Sequence, residues 1–532
     1  MKITTYTIGL LLALLSLSAC EVDRFPETEI SDVSFWKSET DLQTAANYLY
    51  TFLPGFAIEE DWSDNAFGTQ ADPISDGSRL APATSADYTR AYQLIRAANN
   101  ILEKAPQAAV TPAVLNRYVA EARFFRAFAY FQLAERYGGV PLILKTLSET
   151  APELTQPVAP RADVFTQIYQ DLDAAAALPT PTALGAAGYG RISNTAALAL
   201  KARVALFEGT RSKFHQYGNA NQHLTLAAAA AKAVMDSQQH DLYASYSNLF
   251  EYAGEGRQNR ENILVKQFGT SSANVVLSHN YSLDLYVGGM NPTKSLVDSY
   301  LMKDGLPISQ SPQYVAPTTS QDVFRNRDQR LAATVFRQGE AYNTGATFTT
   351  PLQYHKTGFG SKKYFNTLDY TTRQALVDRV ILRYAEVLLT YAEAKYELNG
   401  SIYDADLDLT INRLRNRAGV ARLTNQFVSA NGLNMREEIR RERRVELALE
   451  NLRYWDLIRW KTAEVVLPQA VRGNYFFRQE FGTDTPVQVD PDGYIVAQAA
   501  SFRRFNAARD YLWPFPINEL SLNPALEQNP GW

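Results

Sequence analysis

Two short segments carry side chains suited to holding a polar, ring-shaped ligand. Asp61-Trp62-Ser63-Asp64-Asn65-Ala66-Phe67 is polar apart from its rings, and Asn280-Tyr281-Ser282-Leu283-Asp284-Leu285-Tyr286 has the same texture. A ring on a loop presents a flat apolar face with little conformational entropy to lose, and neighbouring Asp and Asn can bond hydroxyls. Trp62, Asp64, Asn65, Phe67, Tyr281 and Tyr286 are therefore the candidate ligand residues, with stacking on the C–H faces of sugars as the chemistry. The competing reading is that these rings simply tuck the loops onto the body of the protein.

Other chemistries find less support. Carboxylates are plentiful, but a glycosidase pair is recognised by its separation in space, so no two acids can be nominated from the chain alone. There is no Gly-x-Ser-x-Gly elbow. His215, His223, His240, His279 and His355 are scattered, without the i, i+4 pair of a zinc helix. Asp490-Pro491-Asp492-Gly493 begins like a calcium loop, yet Ser501 stands where the twelfth-position Glu belongs, so a plain turn is the reading. No cofactor or metal is expected; structural calcium stays open without a motif behind it. The glycines at 185, 188 and 190, and the run Gly358-Phe359-Gly360-Ser361-Lys362-Lys363, lack the spacing of a phosphate-binding loop.

The elements that must position these residues are mostly helical. Apolar positions at three- and four-residue spacing predict helices over Thr84–Lys104, Pro112–Tyr137, Val164–Leu178, Thr195–Glu208, Leu224–Ser237, Val380–Leu398, Leu407–Ala418 and Met435–Trp460. Thr195–Glu208 with Leu224–Ser237, and Val380–Leu398 with Leu407–Arg417, look like degenerate tetratricopeptide hairpins, in which small residues let paired helices approach. In Met435–Trp460, Arg440, Arg441, Arg443 and Arg444 alternate with Glu437, Glu438, Glu442, Glu446 and Glu450. This predicts a salt-bridged face rather than a nucleic-acid surface, over a buried stripe of Val445, Leu449, Leu452 and Trp455. Between Phe250 and about Thr372, and again from Gly473 to Ser501, Gly, Asn, Ser, Thr and Pro break up short apolar runs. Both read as loop with short strands grafted onto a helical scaffold.

Composition narrows the function classes. The 532 residues exceed what one hydrophobic core usually serves. A balance of 52 Lys+Arg against 56 Asp+Glu argues against a polyanion-binding protein, and a mean hydropathy of -0.26 against a polytopic membrane protein. The single cysteine excludes an intramolecular disulfide and a thiolate zinc site. Its position says more. Lys2 and the apolar run Ile8–Leu15 make a signal-peptide core too short to span a bilayer, and Leu17-Ser18-Ala19-Cys20 resembles a bacterial lipobox. Residues 1–19 then read as a lipoprotein signal peptide, Cys20 as the acylated first residue of the mature chain, and 20–30 as a polar tether. Multiple acyl chains would anchor a soluble body stably.

Several blocks resemble the SusD/RagB family. They are Glu121-Ala122-Arg123-Phe124-Phe125-Arg126-Ala127 leading to Tyr137-Gly138-Gly139-Val140-Pro141-Leu142, then Arg383-Tyr384-Ala385-Glu386-Val387-Leu388-Leu389 with Tyr391-Ala392-Glu393-Ala394. Ile411–Gly419, Arg440–Trp460 and the closing Trp513-Pro514-Phe515-Pro516-Ile517 to Gln528-Asn529-Pro530-Gly531-Trp532 follow in family order. The resemblance implies a mainly α fold of tetratricopeptide-like helix pairs forming a superhelical scaffold, with large irregular loops and short β-strands. It divides the chain into an N-terminal region over 31–250 and a C-terminal region with ligand-loop inserts over 251–532. It further implies a non-enzymatic, lipid-anchored outer-membrane protein facing the cell exterior. Such a protein captures oligosaccharide, in some branches peptide, and acts as a lid for a SusC-like TonB-dependent transporter. A surface glycan hydrolase is the alternative. Ligand residues vary between branches, so the six candidates rest on their own loop chemistry.

Overall fold

A computed structural model describes residues 35–532 apart from 186–187, 271–275, 344 and 482–486. The signal segment, the tether and Cys20 lie outside the described residues. Helix makes up 49% and strand 8%, which sets the class as mainly α. Helix α1 (Glu39–Tyr50), which the periodicity reading passes over, is opened by a reciprocal cap between Ser38 and Asp41. Helix α2 (Ala86–Lys104) starts at the Ser85 cap, and α3 (Pro112–Tyr137) has Thr111 as cap and Pro at its first position. Helices α4 (Arg161–Ala175), α5 (Asn194–His215) and α6 (Ala220–Asp236) follow. Each of α2 to α6 packs on its neighbour in sequence or on the next but one, and α5 lies tightly along α6. Gly209 permits that approach, since a Cβ there would meet the Leu224 backbone nitrogen at 2.9 Å.

Helix α3 is buried on nearly every face, charges included. Arg126 bonds Asp171 of α4 at 2.8 Å and Asn99 of α2 at 2.8 Å, while Glu121 takes Arg191 at 2.6 Å. The charged positions of this block are thus internal ties between helices. One apolar cluster runs from Trp36 to Leu526, so the first helices and the closing segment share a core; a second lies beneath the loop-rich stretch. The closing segment returns onto the end of α3. Trp513 N–H donates to the Arg136 carbonyl at 2.7 Å, Phe515 stacks on Tyr137 at 5.1 Å, and Asn529 donates to the Tyr137 carbonyl at 3.0 Å.

Three helix expectations are corrected. The helix over Val380–Leu398 is strand followed by helix: β1 (Asn262–Lys266) pairs antiparallel with a strand at Arg379–Arg383, and a helix covers Tyr384–Asn399. Ile263-Leu264-Val265 faces Val380-Ile381-Leu382, two short apolar runs of the kind whose period does not distinguish helix from strand. That helix packs chiefly on α6 and on a later helix over Met435–Glu446, and less on the helix pair after it. The expected helix Leu407–Ala418 breaks at Thr410 into Asp404–Leu409 and Ile411–Ala418.

The long arginine-rich helix also divides, into Met435–Glu446 and Arg453–Arg459. Between them Leu449 and Asn451 take left-handed backbone angles, φ +61° and +64°. A non-glycine residue there costs about 1–2 kcal/mol. The Glu60 carboxylate offsets this by accepting the Leu449 and Asn451 N–H groups at 3.3 and 2.7 Å. Val445, Leu449 and Trp455 are buried and Leu452 half-buried, but they come from two helices and the turn. The charges do not form an exposed salt-bridged face either. Glu438, Glu442, Arg443 and Glu446 are buried, and Glu446 bonds Arg330, Arg383 and Arg417 at 2.6–2.7 Å. Pairs within the helix, Arg440–Glu437 and Arg441–Glu438, are the smaller part.

Candidate functional site

Five of the six candidate ligand residues hold the fold together. Trp62 sits edge-on to Trp513 at 5.5 Å and to Tyr454 at 5.9 Å, against the main core. Asp64 is clamped by Arg444 and Arg453. Asn65 is buried; it donates to Glu60 at 2.6 Å and accepts from Arg444 at 2.7 Å, completing the cage around the turn carboxylate. Tyr281 is buried and stacks on Phe56 at 4.5 Å. Phe67 is largely buried, and its edge walls a cleft of about 390 Å³ shared with Gln70, Leu352 and Lys356. For these residues the structure matches the competing reading: their segments pack onto the body.

Tyr286 is different. It ends the short helix Tyr281–Tyr286 and stands in a stack of tyrosines gathered from four segments. Tyr342, on the strand Ala341–Asn343, lies near-parallel at 4.7 Å. Tyr370, on the helix Thr367–Thr372, lies near-parallel at 4.1 Å, and Tyr354, on the loop between them, is tilted at 6.0 Å. Tyr342 is buried, Tyr286 and Tyr370 are half-buried, and Tyr354 is exposed, so the stack rises from core to solvent. Val287, Leu368 and Asp284 are exposed beside it.

The stack is held by a polar spine underneath. The Tyr342 hydroxyl lies 2.9 Å from the Tyr286 carbonyl and 2.8 Å from His355 Nε2, with its one proton between these two acceptors. His355 Nδ1 lies 2.9 Å from Asn291 Oδ1, while the Asn291 amide nitrogen donates to the Phe67 and Gly288 carbonyls. Asn291 therefore offers His355 only an acceptor, which places the ring proton on Nδ1. Burial pulls the His355 pKa down to about 4, so the ring is neutral at physiological pH. Gly288 closes the turn with φ +76°; a Cβ there would fall 2.0 Å from the Tyr354 carbonyl. Asn366 caps the Thr367–Thr372 helix, and its backbone N–H donates to Ser282 at 3.1 Å, tying two of the four segments directly.

Chemically this is a stack whose inner rings cover one another and whose outer members, half-buried Tyr370 and exposed Tyr354, bring ring area and hydroxyls to the surface. Among the described residues, no group of three or more His, Cys, Asp or Glu is placed to hold a metal ion. Sequence reasoning found one residue of the stack, Tyr286, and missed Tyr342, Tyr354 and Tyr370. The available signal was coarse: all three fall in the loop-rich stretch marked as functional in itself.

A family model described as the SusD family matches residues 251–532, and another, described as starch-binding associating with outer membrane, matches residues 30–206. The chain belongs to the SusD family. Among SusD-like relatives, one from Bacteroides ovatus is 26% identical, the match covering 97% of this chain and 96% of that one. SusD-like protein P38 of Formosa agariphila is 26% identical over 88% and 93%. The crystal structure of a SusD-like carbohydrate binding protein from Bacteroides fragilis superposes with a TM-score of 0.78 at 28% identity, covering 93% of this chain and all of that one. A laminarin binding SusD-like protein shares the fold with a TM-score of 0.64 at 23% identity, covering 93% of this chain and all of that one.

Proposed function

We propose that this SusD-family chain captures oligosaccharide at the cell surface and delivers it for import without cleaving it. The tyrosine stack around Tyr286 carries the reading, because its outer rings Tyr370 and Tyr354 bring apolar ring area and hydroxyls to the surface, which suits the C–H faces and hydroxyls of a sugar. The starch-binding description of the matching family and the carbohydrate-binding relative of Bacteroides fragilis support the same ligand class. Among the described residues no helix is long and apolar enough to cross a membrane. In this proposal, acyl chains on Cys20 attach the body to the outer membrane, and the helical scaffold sets it as a lid on a SusC-like TonB-dependent transporter.

Isothermal titration with neutral starch- and laminarin-derived oligosaccharides tests the reading, using wild type, Tyr354→Ala and Tyr370→Ala. Saccharide binding that weakens about tenfold (about 1.4 kcal/mol) in each variant is the expected result. Equal affinity in all three proteins removes the stack from the site. Shortened saccharides in the incubation would establish a hydrolase, and binding of peptides alone would move the protein to a peptide-binding branch.

A further inference from the structure

The strand pair that replaces the expected helix contains an unusual juxtaposition. Lys266 is the register partner of Arg379 across the antiparallel pair. Directly opposed residues share a face with Cβ atoms about 4.5–5.5 Å apart, and like charges in that relation destabilise the ribbon. Both side chains, with Arg90 of α2, line a cleft of about 350 Å³ between the loop 52–59, the helical scaffold and the strand pair. Arg90 is exposed and the other two half-buried, so they stand toward its mouth.

Among the described residues no carboxylate lies within ion-pair distance of these three cations, and Glu59 reaches Arg379 only at longer range. Lys266 donates to the Leu53 carbonyl at 2.7 Å and Arg90 to the Thr51 carbonyl at 3.3 Å. Arg379 makes no side-chain hydrogen bond or ion pair among the described residues. Burial, then Arg90 and Arg379, lower the Lys266 pKa. The other acids of the cleft are committed: Glu386 to Arg203, Glu450 to Arg383, Asp456 to Arg443 and Arg459, and Glu135 and Asp87 to Arg136. Glu59, on the same cleft, forms no ion pair within bonding distance among the described residues; burial raises its pKa, and the longer-range attraction of Arg136 and Arg379 opposes that rise. What distinguishes the trio is convergence: three cations line one cleft mouth, two of them directly opposed across the strand pair.

We infer that Lys266, Arg379 and Arg90 bind an oxyanion carried by the saccharide, a uronate carboxylate or a sulfate ester, which makes the ligand an acidic glycan. This rests on the glycan-capture reading above. The two features are neighbours: Phe56 lines the cleft and stacks on Tyr281, and the same helix ends at Tyr286, about 7.5 Å further along its axis.

The test titrates wild type and a Lys266→Gln/Arg379→Gln double variant with a galacturonate oligosaccharide, a sulfated oligosaccharide and a neutral one. Removing the opposed charges relieves repulsion, so the variant should melt at or above the wild-type temperature. The acidic ligands should bind wild type more tightly than the neutral one, and weaken at least tenfold as salt shortens the Debye length from ~30 to ~3 Å. They should lose about tenfold in the double variant while neutral binding is unchanged. The uronate and sulfate arms tell which group is carried. Neutral saccharide bound as tightly as acidic, or acidic ligands indifferent to the double variant, overturns the inference while leaving capture intact. No saccharide binding of any kind overturns both.

Discussion

Asp64 lies 2.8 Å from the guanidinium of Arg444 and 2.8 Å from that of Arg453, a three-residue clamp joining the segment 61–67 to both halves of the divided arginine-rich helix. Burial alone would raise its pKa, but the two arginines outweigh burial and hold the carboxyl well below the usual carboxylate range. Asp64→Asn leaves two guanidiniums with a neutral partner. It should lower unfolding stability by about 3 kcal/mol, measured by urea titration at neutral pH, with saccharide affinity unchanged. Because the folded pKa is depressed, the contribution is present above the unfolded value near pH 4 and is lost as pH falls below it. The wild type should therefore lose stability more steeply than Asp64→Asn on the acid side.

Asp61, three residues away, behaves in the opposite sense. Burial and then the neighbouring Asp72 push its carboxyl up to about 8, and its Oδ1 is buried without a hydrogen-bond partner. The folded state holds a proton that the unfolded chain releases near pH 4. The stability from this group is therefore complete below pH 4 and is lost as pH rises toward 8, by at most about 1.4 kcal/mol per pH unit. Asp61→Asn should flatten that decline in melting temperature between pH 5 and 8. An unchanged slope would show Asp61 ionised in the fold.

Packing rings and platform rings should separate in a crossed comparison. Trp62→Ala should cost about 3 kcal/mol in denaturant unfolding and leave saccharide affinity alone, since the ring is spent on Trp513 and Tyr454. Tyr354→Ala should change stability by no more than about 0.5 kcal/mol yet weaken binding about tenfold. The reverse pattern would put the ligand at the segment 61–67.

The turn at Gly288 offers a test of geometry without removing any ring. Gly288→Ala puts a Cβ into the Tyr354 carbonyl and strains a left-handed φ, so the loop 351–356 must shift away from Tyr286. A stability loss of about 1–3 kcal/mol is expected, with saccharide affinity falling although every tyrosine is present. Tyrosine fluorescence with calorimetry reads both effects.

Cys20→Ala tests the proposed lipid anchor. The substituted protein should move from the membrane to the soluble fraction on cell fractionation, since one signal core too short to span a bilayer cannot hold the body there. Continued membrane association would mean another means of attachment.

What the sequence determined by itself was local or ordered along the chain. Helices α2 to α6 were legible because apolar and small residues recur at helical spacing over many turns and each opens with a cap or a proline, although α3 and α5 are buried on nearly every face. The family was legible because its blocks recur in order. Only the tertiary structure decided the rest. Val380-Ile381-Leu382 became a strand because a partner run at 263–265, over a hundred residues earlier, satisfied its backbone. Glu446 and Glu442 entered the core because Arg330, Arg383, Arg415 and Arg417 arrive from other segments to meet them. Trp62 and Tyr281 were spent on packing while Tyr354 stayed in solvent. Burial of a ring depends on which distant surfaces close over it, and composition within a seven-residue window carries no information about that.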